Sequence, residues 1–171
     1  MVALLVLIVA AVPFLLWRWP ITVGPVAIIG ALTIIRYWVE AMGQEPARGA
    51  AWSSTVAVLI SGFYLGGVGP RLSPVTGRPP GAKSLFVPAL AIAWTWRFWI
   101  FFAILLSALV PFYKTHFFDP SGGNVPVRLA QALAGGVVEG FVYGVVIWGI
   151  AVWMAHATEG TRGREQVTEN R

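Results

Sequence analysis

The sequence predicts an all-α, polytopic integral membrane protein, a bundle of five transmembrane helices with no soluble domain. Three observations carry that prediction. Hydrophobic residues make up 57% of the 171 positions and charged residues 11%, where a soluble domain carries about 25% charged. Five long apolar runs fill most of the chain. No ten-residue stretch alternates apolar with polar residues as a membrane strand would. An open sheet in hydrocarbon would leave backbone groups unpaired, so the runs read as helices.

The first run covers residues 1–17 and is slightly short of the roughly 20 residues a crossing needs. It has no basic residue ahead of its apolar core and no small-x-small site before Trp17, so it reads as a span and not as a secretory signal. A tight turn, Trp17-Arg18-Trp19-Pro20, joins it to the second run at 21–42. Pro20 suits the start of the next helix. The third run is 51–68, the fourth 85–110 and the fifth 130–156. Together they define a transmembrane domain over 1–157, followed by a polar, frayed tail at 158–171.

The connections carry the topology signal. Arg18, then Arg71, Arg78 and Lys83, then Arg162, Arg164 and Arg171 lie on one side, seven basic residues against Arg48, Lys114 and Arg128 on the other. The seven-residue side is expected to be cytoplasmic, which places the N-terminus outside and the C-terminus inside. The loop at 69–83 carries four prolines and reads as stiff and extended. The loop at 111–126, with Phe112, Tyr113, Phe117 and Phe118, reads as an outer loop lying in the interface.

Charge and composition exclude several classes. The net charge of +5 comes from basic residues scattered over short loops, with no stripe of the kind a nucleic-acid reader needs. Zero Cys removes thiolate metal sites, iron–sulfur clusters and redox pairs. His116 and His156 fall on opposite sides of the membrane and cannot share a haem. His116 and Asp119 form only a two-residue pair, short of the three or four ligands a metal takes. No nucleophile elbow and no phosphate-cradling loop is present. An enzyme acting on lipid would have only Glu139, Tyr143 and His116 as acid or base, and is the weakest expectation.

Charges within the spans are the first candidates for function, because each costs about 2.5–3.5 kcal/mol at the helix centre. Arg97 lies mid-span in Trp94-Thr95-Trp96-Arg97-Phe98-Trp99 and is expected to face the bundle interior. Its expected ionic partner is Glu139, with Trp94 and Phe101 on its own side of the helix as candidate cation–π rings. Tyr143 sits one turn from Glu139. Arg36 and Glu40 are spaced to pair along one helix face near the outer end of the second span. Such charges either fix helix register or line a path for an ion, a proton or an anionic substrate.

A stripe of small residues, Ala132, Gly136, Gly140 and Gly144, recurs every four positions in the fifth span. Gly62 and Gly66 form a similar pair in the third. Both are expected to let another helix approach closely. The functional expectation is a non-catalytic membrane subunit that packs against a larger complex and stabilises it, with other membrane subunits and the bilayer as partners. The alternative is a small transporter or channel subunit built on Arg97, Glu139 and Arg36. No cofactor is predicted. A lipid, quinone or pigment held by apolar contact stays open at this point.

Overall fold

The structure, a computed structural model, describes residues 20–42, 54–67, 81–110 and 123–169. Among them are a 3-10 turn, Pro20–Thr22, and four α-helices: α1 Val23–Ala41, α2 Ser54–Gly67, α3 Ala82–Leu109 and α4 Val125–Glu169. The all-helical prediction stands, but five helices are not shown. The run at 1–17 lies outside the described residues. By length and composition three of the four can cross a membrane: Val23–Glu40 of α1, all of α3, and Val125–Thr158 of α4. These three suggest a membrane protein.

α2 is described over 14 residues, within the expected run at 51–68. One boundary differs from the sequence expectation. α4 runs 45 residues to Glu169, so most of the stretch read as a frayed tail is helical. Apolarity ends near residue 158, whereas helix formation has no need of apolar residues and continues.

Local chemistry explains the helix starts. Pro25 sits in the first turn of α1, where its missing N–H would have no intrahelical partner. Ser84 closes the first turn of α3 on Gly81 O, through its backbone N at 2.8 Å and its Oγ at 2.7 Å. At the start of α4, Asn124 Oδ1 accepts from the Val127 N–H at 3.4 Å, and Gly123 takes φ +113°, a conformation that favours glycine. Thr33, Ser61 and Thr95 donate to the carbonyl four residues back, which satisfies each hydroxyl without a second helix.

α3 is the central helix. In its span 56% of residues are buried, against 22% in α4, as expected for a helix that is apolar on every side. Ile29, Val58, Ala89, Ile92, Ala93, Ile147 and Ala151 come together from all four helices as the hydrophobic core. α4 packs antiparallel to α3: Gly140 lies against Trp94 and Gly144 against Leu90. α2 runs parallel to α4, with Gly62 on Ile147 and Ile150 and Gly66 on Ala151 and Met154. α1 reaches α3 through a hydrogen bond from Tyr37 Oη to the Trp99 carbonyl.

Candidate functional site

The strongest local chemistry sits where α3 and α4 part. Low in the pair the helices touch. A methyl group added at Gly140 would collide with the Trp94 ring, and one at Gly144 would come within 3.1 Å of the Leu90 backbone. Trp94 Nε1 donates to the Val137 carbonyl at 3.2 Å, which ties the two helices just above this contact. One turn back toward the start of α4 the helices diverge. Among the described residues nothing approaches within 4 Å of a methyl group placed at Gly136. Within the chain the stripe of small residues therefore packs through Gly140 and Gly144, and Gly136 meets no described neighbour. A repeat in one helix cannot report where its neighbour bends away.

The divergence opens a groove of about 260 Å³. Trp94, Arg97, Phe98 and Phe101 form the α3 wall, and Ala132, Leu133, Gly136 and Val137 form the α4 wall. Ala132 and Gly136 of the small-residue stripe line this space.

Arg97 Nη2 and Glu139 Oε2 are in contact, which makes the expected ion pair across α3 and α4. The burial is not as expected. The Arg97 side chain is 16% exposed, but the Glu139 side chain is 54% exposed. Glu139 thus lies at the outer edge of the bundle, because its helix position faces away from α3 and the long arginine reaches out to it. The rings beneath the guanidinium are Trp96 at 4.6 Å and Tyr143 at 5.8 Å, themselves edge-to-face at 4.8 Å. Trp94 and Phe101, anticipated as the cation–π rings, line the groove instead. Arg97 Nε is buried and has no hydrogen-bond partner among the described residues.

Arg36 and Glu40 pair along α1 at 3.1 Å, with side chains 14% and 2% exposed. Arg36 is next to Tyr37 in the chain and Glu40 about one turn beyond it, on α1 and not on α3 or α4. Among the described residues no group of three His, Cys, Asp or Glu could hold a metal ion. His116 lies outside the described residues, and His156 is exposed on α4.

One further feature escaped the sequence reading. On α4, Gly135, Val138, Val142, Val145 and Gly149 recur at spacings of three, four, three and four. Val138, Val142 and Val145 are 64%, 54% and 37% exposed, and among the described residues nothing lies within 4 Å of a methyl group at Gly135 or Gly149. This heptad seam points away from the bundle, opposite Ile147 and Ala151 of the core. Its signal was in the sequence, overlaid by the four-residue spacing of the small residues. Glu139 flanks the seam.

Compared with known proteins, the chain matches no family model, no curated protein and no solved structure.

Proposed function

We propose that the chain is a non-catalytic integral membrane subunit, and that α4 is the helix it offers to a neighbouring subunit. The observation that carries this reading is the outward seam of Gly135, Val138, Val142, Val145 and Gly149. A spacing of three and four in glycine and β-branched residues is what knobs-into-holes packing of a second helix uses. Glu139 takes a position beside the seam, where coiled-coil helices place charges that select their partner.

A path for an ion or proton finds less support. The Arg97–Glu139 pair is at the edge of the bundle, with the Glu139 side chain 54% exposed.

The absence of cysteine makes the test direct. Val142→Cys and, as a control on exposed α1, Ile28→Cys are made separately in the full chain and treated with a bifunctional thiol reagent in native membranes. The subunit reading expects Val142→Cys, and not Ile28→Cys, to cross-link in high yield. It also expects the detergent-extracted chain to travel in a particle heavier than a monomer. Equal, low cross-linking at both sites together with a stable monomer refutes it.

A further inference from the structure

We infer that the occupant of the α4 seam is a second copy of this chain, paired seam to seam and in parallel about a two-fold axis along the membrane normal. The inference rests on the subunit reading and names the partner which that reading leaves open.

The membrane fixes the geometry first. Copies of one chain share one orientation in the bilayer, so two α4 helices that meet face to face are parallel. A two-fold interface presents the same patch on both sides. Along the axis each seam residue meets its own copy, so the face must be compatible with itself, residue by residue.

The seam meets that condition. Gly135 and Gly149 stand two heptads apart with the exposed Val138, Val142 and Val145 between them, and none of the five is charged. Glycine admits a close approach of two backbones, and valine packs on valine. Glu139 flanks the seam, but Arg97 of its own chain answers it. Two copies therefore bring neutral pairs to the interface, in place of two bare carboxylates.

Gln131 adds the selective contact. It lies four residues before Gly135, which continues the alternation of three and four, and it is exposed. Its depth follows from the packing of α4 on α3. Gly140 rests on Trp94 and Gly144 on Leu90, so the middle of the 28-residue α3, between Thr95 and Trp96, is level with Val138. With α3 centred on the core, Gln131 is about 11 Å from mid-span at 1.5 Å per residue, within a half-thickness of about 15 Å. Lipid chains offer an amide neither donor nor acceptor. A carboxamide carries both, so two Gln131 amides facing across a two-fold axis each donate to the other. One polar residue in such a seam fixes register and strand number in parallel coiled coils. Glycine and valine would accept any apolar helix; the amide, which is its own complement, selects a second copy.

Val142→Cys carrying a benzophenone, in the full chain in native membranes, captures whatever protein lies on the seam. A product of twice the chain's 18.5 kDa, containing this chain alone, is expected. A product containing another protein overturns the inference and leaves the subunit reading standing, whereas no protein product removes both. The purified chain, labelled with a donor or an acceptor fluorophore and mixed in phosphatidylcholine vesicles, should show energy transfer that falls as lipid dilutes it. Gln131→Leu, at an exposed position, should weaken association about tenfold, with helicity and thermal unfolding unchanged. Gly135→Leu, where no described residue lies within 4 Å of an added methyl group, should weaken it at least about tenfold by holding the two backbones apart. Ile28→Leu, exposed on α1, should leave it as it is. Association of Gln131→Leu as tight as the parent's overturns the amide pair and with it the choice of a second copy. Should Gly135→Leu fail to fold, Gln131→Leu decides the matter alone.

Discussion

Gly66 and Gly67 are neighbours on α2 with opposite surroundings, and replacing each by alanine isolates the close approach of α2 to α4. At Gly66 the added methyl would overlap the Ala151 carbonyl oxygen and stand 2.8 Å from Met154 Cβ. Carbon atoms in ordinary contact sit about 3.5–4.0 Å apart, so α2 and α4 must separate by about 1 Å. The obstacle is helix backbone, which cannot swing aside as a side-chain tip can. Overpacking of this kind costs about 1–3 kcal/mol, and the upper part of that range applies here. At Gly67 the methyl meets Met154 Cε at 3.7 Å, an ordinary contact. Removing a glycine from a helix then contributes up to about 1 kcal/mol of stability. Reversible unfolding in mixed micelles, titrated with a denaturing detergent, should show Gly66→Ala less stable than the parent by about 2–3 kcal/mol and Gly67→Ala equal or slightly more stable. Equal effects at the two positions would refute the claim that α2 and α4 meet backbone to backbone at Gly66.

Two further outcomes follow from the charges. Glu139→Leu leaves Arg97 without its carboxylate, at about 2.5–3.5 kcal/mol on insertion scales, partly offset by the rings of Trp96 and Tyr143 at about 1–2 kcal/mol. A net loss of about 1–2 kcal/mol is expected in the same unfolding assay, and Arg97→Leu with Glu139→Leu should recover part of it; a double mutant as unstable as the sum of the singles would exclude coupling. Reporter fusions at Gly77 and Gly123 should sit in opposite compartments, with Gly77 cytoplasmic, because seven basic residues oppose three; finding both on one side would defeat the predicted topology.

Much of the architecture was legible because hydropathy and helix length coincide where a helix is apolar throughout. The expected 85–110 became Ala82–Leu109, and 21–42 became Val23–Ala41. The Arg97–Glu139 contact was legible for a related reason, since a mid-span charge needs an opposite charge and the described part of α4 offers Glu139 within its apolar stretch. The exposure of Glu139 was not legible. It depends on the rotation of α4 about its axis, which is set by Gly140 and Gly144 resting on Trp94 and Leu90. The groove was hidden for the same reason: Ala132 and Gly136 have the same spacing as Gly140 and Gly144, and only the divergence of two helices makes the first pair line a space and the second fill one.

The contact of α2 with α4 at Gly62 and Gly66 has a consequence for how the bundle can move. Ile147 and Ile150 press on Gly62, and Ala151 and Met154 on Gly66, so the fit repeats every four residues on both helices. Sliding α2 along α4 by a fraction of a turn brings side chains onto backbone, and close packing transmits such strain instead of absorbing it. The two parallel helices therefore travel as one unit, and any rearrangement within the bundle falls where α3 and α4 part.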